Sequence, residues 1–310
     1  MRLFTIALIA AVASKAFSQQ PDDWQALQAA DAAETRLSDY RDTADVLQLK
    51  FKLLQAINAD RQKAKAPPVA LDILASRVAN RQCLEEVQNH YYGDWNLAGQ
   101  SPFVRYGLAG STDHILENAA SDRGAADFDP AKLYDYMAGA HQRFMAEKSP
   151  KDSNRQNILN AWHTHVGIGA ALAGNEFRFS EVFIDRYFTT LDFPASVAPG
   201  EKFTLHAVPN PGLFGYVLVA FYEPFPKPMT PAAISKRGGY SDSTKKAEVT
   251  LWPNSLNIAD DGSITQQLSF KKPGLYYVQI FLDKTKPPKT GQFTNAGKIP
   301  GSGIVISVGQ

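Results

Sequence analysis

Imidazole titrates nearest to neutrality of all side chains and binds zinc and similar ions. The chain spaces two of its 6 histidines as His163-Thr164-His165. On a strand, residues two apart face the same side, so both rings would share one surface as a source of imidazole. The plainer reading makes them polar residues at a strand end. His114 and His141 read as surface or hydrogen-bonded structural residues, and His206 as solvent-facing. Cys83, the lone cysteine, sits in the helical context Val78-Ala79-Asn80-Arg81-Gln82-Cys83-Leu84. It reads as a small buried hydrophobe ahead of a reactive thiol. Asn118 reads as a buried amide that ties a loop to backbone groups. Gly-x-Ser-x-Gly, His-Glu-x-x-His, a phosphate-binding Gly-rich loop and Cys-x-x-Cys are all missing from the sequence. Geometry sets catalytic constellations, so reaction chemistry stays open at this point.

The elements that must position these groups change character near residue 188. Before it, apolar residues recur at helical spacing; after it, short alternating runs are cut by Pro and Gly. Asp22 and Asp23 can cap a helix starting near Trp24. Val46, Leu47, Leu49, Phe51, Leu53, Leu54 and Ile57 give a second helix a broad apolar face, ending before Pro67-Pro68. A third helix runs from about Leu71 to Gln88, residues 91–112 read as a long ordered loop, and Pro130 opens a helix over Ala131 to Lys148. Val166–Leu172 and Phe177–Tyr187 read as strands joined at Gly174-Asn175. Strands are then predicted at Lys202–Val208, Tyr216–Glu223, Ala247–Trp252, Ile264–Phe270, Leu275–Asp283 and Ile304–Val308, with long loops over Pro226–Lys246 and Lys284–Pro300.

The whole chain sets bounds on what this architecture serves. Its 310 residues suggest two domains at roughly 150 residues each. A formal net charge of +1, with no basic stripe, gives no field to draw a nucleic acid or an anionic membrane. Arg2, the apolar run Leu3–Val12 and the small residues Ala16 and Ser18 form a signal-peptide pattern over residues 1–18. The run is about ten residues where a spanning helix needs roughly twenty, so a soluble secreted or periplasmic protein with no transmembrane segment is expected. One cysteine rules out an internal disulfide, and an exported chain without disulfides leans bacterial.

The stretch from about Leu49 to Phe188 resembles the CAP superfamily (SCP-like), which includes cysteine-rich secretory proteins, antigen 5 and plant pathogenesis-related proteins. Seven fragments carry the likeness in order: Ile57-Asn58-Ala59-Asp60-Arg61, Pro67-Pro68-Val69-Ala70-Leu71-Asp72, His90 with Ser101-Pro102-Phe103-Val104-Arg105-Tyr106-Gly107, Leu116-Glu117-Asn118-Ala119-Ala120, Phe144-Met145-Ala146-Glu147-Lys148-Ser149-Pro150, Arg155-Gln156-Asn157-Ile158-Leu159, and His163-Thr164-His165-Val166-Gly167-Ile168-Gly169. Leu116 stands where the family usually has Gly, and Asn154 takes the place of a His before Arg155. The resemblance implies an α/β domain, an α-β-α sandwich, over residues 44–188, after an N-terminal helical segment at 19–43. Over residues 189–310 an all-β sandwich is expected. There Pro199-Gly200-Glu201-Lys202-Phe203-Thr204-Leu205 resembles the first strands of immunoglobulin-like modules.

Family members often pair two His with two Glu in a cleft that can take a divalent metal. The resemblance therefore assigns His90, Glu117, Glu147 and Asn154 to a cleft, and His90, Glu117 and Glu147 to a weak zinc site. Three protein ligands and an open water position make a catalytic zinc, but Asn supplies only a weak amide oxygen in place of a nitrogen donor. The expected function is an exported, non-catalytic binding protein for a small ligand, lipid or envelope component. The alternatives are a metal-assisted hydrolase of envelope material, with Glu117 or Glu147 as general base, and a lipid or sterol carrier.

Overall fold

The computed structural model describes residues 24–240 and 246–309. The signal-peptide pattern at 1–18 and the capping pair Asp22 and Asp23 lie outside the described residues. The first half runs α1 (Trp24–Ala33), α2 (Ala44–Lys63), β1 (Ala70–Leu71), α3 (Ile73–Gln88), α4 (Pro102–Leu108), β2 (His114–Arg123), α5 (Leu133–Met145), α6 (Ser153–Leu159), β3 (His165–Ala173) and β4 (Glu176–Asp185). Thr43 Oγ1 starts α2 by accepting from the Val46 N–H. Asp72 Oδ1 does the same for Ala75 at the head of α3. Arg61, fully buried near the end of α2, donates to the carbonyls of Pro67, Ile158 and Asn160, tying the helix to the C-terminal end of α6.

The four strands form one sheet in the order β1-β3-β4-β2, with β1 parallel to β3 and the other pairs antiparallel. Every residue of β4 is buried, because helices cover both faces. On one face α3 lies directly on β3. Cβ atoms built at Gly167 and Gly169 would fall 2.4 Å from Ala75 Cβ and Ala79 Cβ, so only glycine admits this close approach. Leu74 and Val78 of that helix close over Ile115, Val182 and Ile184. On the other face Leu53, Leu54 and Ile57 of α2 and Met137, Ala140 and Phe144 of α5 pack on Val166, Ile168, Phe177, Phe179 and Phe183. The result is an α-β-α sandwich.

The second half is β-rich: β5 (Phe188–Asp192), β6 (Ser196–Val197), β7 (Lys202–Pro209), β8 (Phe214–Glu223), the short helix α7 (Pro231–Ser235), β9 (Val249–Leu251), β10 (Ile264–Ser269), β11 (Gly274–Asp283), β12 (Ile299–Pro300) and β13 (Ile304–Val308). One sheet has the order β10-β7-β5 and the other β6-β13-β11-β8-β9, with β12 beside β11. Strand alternation supplies the core between them: Leu205 and Ala207 from the first sheet meet Leu218, Val278, Ile280, Ile304 and Ile306 from the second.

The outer face of the larger sheet packs on the first half. Phe103 of α4 meets Tyr277 of β11 at a ring separation of 4.1 Å, and Val104 and Tyr106 join Leu275 and Val305 in the same cluster. Two stretches expected as loops hold helices. Ser101-Pro102 opens α4 inside residues 91–112, because proline at the first helical position loses nothing. Thr230-Pro231 opens α7 inside 226–246 in the same way. Ile234 of α7 buries against Tyr91 and Trp95, and Tyr240 N–H donates to Asp94 Oδ2 at 2.7 Å.

Candidate functional site

A cleft of about 520 Å³ opens between the edge strand β2 and α6. Leu116, Glu117 and Asn118 line one side, and Ser153, Asn154, Gln156, Asn157 and Asn160 the other. Strand alternation sends Glu117 and Asn118 to opposite faces of the sheet. Glu117 turns toward α4: its Oε2 accepts from Arg105 Nη2 at 2.5 Å and its Oε1 from Ser180 Oγ at 2.6 Å. Both partners of this ion pair are buried. Burial pulls the Arg105 pKa down, but Glu117 more than compensates and holds it above the usual guanidinium value. The carboxylate is thus spoken for by charge and by hydrogen bonds.

Asn118 turns toward α6 and begins a chain of fixed polarity. Its Nδ2 donates to the Asn154 carbonyl at 3.1 Å and faces Glu181 Oε2 at 3.5 Å, so its Oδ1 is the acceptor for Asn157 Nδ2 at 2.8 Å. That leaves Asn157 Oδ1 to accept from His163 Nε2 at 2.8 Å, while His163 Nδ1 faces Asp185 Oδ1 at 2.6 Å. Asp185 Oδ2 meets His114 Nδ1 at 2.8 Å. Burial pushes the Asp185 carboxyl up, yet His163 and His114 outweigh it and hold the group at about 2. On the same face His141 sits between Glu181, at 2.8 Å, and Asp60, at 3.3 Å; burial acts to lower its pKa, and the two carboxylates raise it above the ordinary imidazole value. His114 and His141 are therefore hydrogen-bonded structural residues, and both are buried.

Glu147 stands behind the cleft. Its Oε2 accepts from the Asn154 and Arg155 N–H groups at 3.0 and 3.4 Å, and its Oε1 from Asn154 Nδ2 at 2.6 Å, so it caps the first turn of α6. Gln156 Nε2 donates to Asp152, and Asn160 Oδ1 accepts from Trp162 N–H. Asn154 Oδ1, Gln156 Oε1 and Asn160 Nδ2 have no partner among the described residues. The groups this cleft offers are uncharged amides.

His90 does not join them. It follows the end of α3 in the left-handed region, φ 54°, and Tyr91 N–H reaches back to the Glu86 carbonyl. That reversal aims the ring at Glu176, 3.3 Å away, with 73% of the side chain exposed. Glu176 is opposite Arg123 in the β2–β4 register, six residues from Glu117 and so about 20 Å along the strand. The expected convergence of His90, Glu117 and Glu147 is corrected accordingly. The donor set for zinc goes with it: one carboxylate is held by an arginine, one caps a helix, and the imidazole is at the other end of the sheet. Among the described residues no group of three or more His, Cys, Asp or Glu stands close enough to share an ion.

His163 and His165 also part. His163 precedes β3, stacks on Phe183 at 5.1 Å and reaches Asn157. His165 lies on the α3 face of the sheet, at a second cleft with Asp72 and Arg186. Cys83 is buried, and burial pushes its thiol well up, as expected of a packing residue. Arg105 and Asn157 enter the sequence reading only inside family fragments, yet they carry more of the site than that reading anticipates. Arg105 had a usable signal, a charge inside the apolar run Phe103-Val104-Arg105-Tyr106, which demands a buried partner.

No family model matches the chain, and no curated protein matches it. Among solved structures, an extracellular protein containing an SCP domain from Bacillus anthracis matches at 19% identity, over 44% of this chain and 39% of its own, with a TM-score of 0.35. The chain thus spans well under half the length of that protein. An outer surface protein from Borrelia burgdorferi matches at 18% identity over 45% of this chain and 93% of its own, with a TM-score of 0.35. A superoxide reductase (neelaredoxin) from Ignicoccus hospitalis matches at 10% identity over 39% of this chain and 79% of its own, with a TM-score of 0.20. The α-β-α assignment rests on the strand order β1-β3-β4-β2 and on the helices that cover both faces of that sheet. No helix among the described residues is long and apolar enough to cross a membrane.

Proposed function

We propose that this chain is an exported binding protein, a CAP-like α-β-α domain with an immunoglobulin-like sandwich behind it, whose β2–α6 cleft takes a neutral, hydroxyl- or amide-rich ligand of the cell envelope. The signal-peptide pattern supports export, and seven ordered fragments over an α-β-α sandwich support the family reading. The ligand class rests on one observation: Asn154 Oδ1, Gln156 Oε1 and Asn160 Nδ2 stay open at the cleft while Glu117 and Glu147 are both engaged. Amides both donate and accept, which suits the mixed donors and acceptors of a saccharide or a peptide bond. A hydrolytic role would need Glu117 to leave Arg105 and Ser180 before it takes a proton.

The test is a titration of the folded protein with the trisaccharide of N-acetylglucosamine, read by nuclear magnetic resonance and calorimetry. Saturable shifts at Asn154, Gln156 and Asn160 are expected, with affinity changing less than about twofold between low and high salt, since no ion pair forms. Asn154→Ala and Gln156→Ala should each weaken binding about fivefold, one neutral hydrogen bond apiece. No shift at those residues, or binding that collapses with salt, refutes the ligand class.

A further inference from the structure

A second cleft, of about 540 Å³, opens at the end of the sheet where β3 begins and β4 stops. Three carboxylates and two guanidiniums line it, Glu34, Asp72 and Asp113 against Arg36 and Arg186, an excess of one negative charge. Arg36 is paired with Glu34. Arg186 is shared: its Nη2 donates to Asp72 Oδ2 at 2.6 Å and to Asp113 Oδ2 at 2.8 Å, and its Nε to Asp113 Oδ2 at 2.9 Å. Asp113 Oδ1 has no partner among the described residues.

One further group on the cleft wall is left open, His165. Thr164 Oγ1 spends its one hydrogen on the Ile184 carbonyl at 3.1 Å and accepts from Arg186 N–H at 3.0 Å. His165 Nδ1, 2.9 Å from the same oxygen, must therefore be a donor. Burial, then Arg186, push this imidazole down to about 4. Near neutral pH its Nε2 keeps a bare lone pair, and it has no partner among the described residues.

We propose that this cleft binds a small organic cation bearing N–H donors, a primary ammonium or a guanidinium, accepted by His165 Nε2 and Asp113 Oδ1. Two acceptors, one of them a carboxylate oxygen, suit the N–H bonds of such a cation, and carboxylates outnumber guanidiniums three to two on the cleft wall. A neutral imidazole whose Nδ1–H is already spent on Thr164 offers an anion a lone pair and no hydrogen.

The test titrates the full chain with n-butylammonium and n-butylguanidinium. Saturable binding is expected, with tetramethylammonium, the same charge without N–H, at least about tenfold weaker. His165→Phe and Asp113→Asn should each lower the n-butylammonium affinity about tenfold, the loss of a charge-assisted hydrogen bond. Long-range nitrogen correlation spectra should show His165 as the Nδ1–H tautomer, with Nε2 moving on addition of the cation. An acetylated, amidated Gly-Lys-Gly peptide separates the sources: binding places the cation on a partner chain, and exclusion assigns it to free amines. If Asp113→Asn does not fold, His165→Phe decides. The proposal falls if neither cation saturates, if tetramethylammonium binds within twofold of n-butylammonium, or if His165→Phe keeps wild-type affinity.

Discussion

Arg105→Met tests whether Glu117 is a structural anion or a free base. The two charges meet in a buried setting, Nη2 to Oε2 at 2.5 Å, with 7% and 6% of the side chains exposed. At an effective dielectric of about 20 and a charge separation of about 4 Å, the attraction is about 4 kcal/mol. Removing one partner strands the other away from water, and buried pairs broken this way lose about 3–5 kcal/mol. Arg105 also donates to the Asp94 carbonyl at 2.6 Å, so the loop that leads into α4 loosens with it. Urea unfolding should show Arg105→Met and Glu117→Gln each destabilising by about 3–5 kcal/mol. The double variant should cost far less than their sum, a coupling of at least about 2 kcal/mol. If Arg105→Met costs under about 1 kcal/mol, or the two changes add within about 0.5 kcal/mol, the pair is not what holds Glu117.

Two further outcomes follow from the same layer. Burial pushes the Glu86 carboxyl, beneath the loop before α4, up to about 8. The folded chain then keeps a proton that the unfolded chain gives up near pH 4.3, so stability is full below that pH and is lost as pH rises through about 8. Denaturation of wild type from pH 5 to 8.5 should show this fall, and Glu86→Gln should flatten it; parallel curves would refute the shift. Gly169→Ala drives a methyl to within 2.4 Å of Ala79, where α3 backbone also lies, and should cost about 1–3 kcal/mol in a thermal melt, whereas a change under about 0.5 kcal/mol would mean the helix simply slides.

What could be read in advance follows from how local each signal is. The broad apolar face of α2 and the stop at Pro67 depend on residues within a turn or two, and the helix runs Ala44–Lys63. The pair of strands around Gly174 announces itself through turn chemistry, and β3 and β4 appear accordingly, paired across that turn. Strand β2 carried no such signal. Its sequence HILENAASDR alternates poorly because it is an edge strand whose polar residues are satisfied by α4 and α6 rather than by solvent. Helix α4 was hidden for a related reason: a seven-residue helix with a buried arginine has too few turns to show a period, and its stability comes from Phe103 and Tyr106 docking on the sandwich.

The site was harder still, because a resemblance can place residues on elements without fixing where their side chains point. Glu117 and Asn118 are neighbours in sequence, yet a strand sends one to Arg105 and the other to Asn157, on opposite sides of the sheet. His90 turns on a single backbone angle. Without a glycine to mark it, nothing in Asn89-His90-Tyr91 announces a left-handed residue, although that conformation decides that the ring meets Glu176 and not Glu117. Asn154, on the wall of the β2–α6 cleft, likewise points by its own contacts: its Nδ2 donates to Glu147 and its Oδ1 keeps no partner among the described residues.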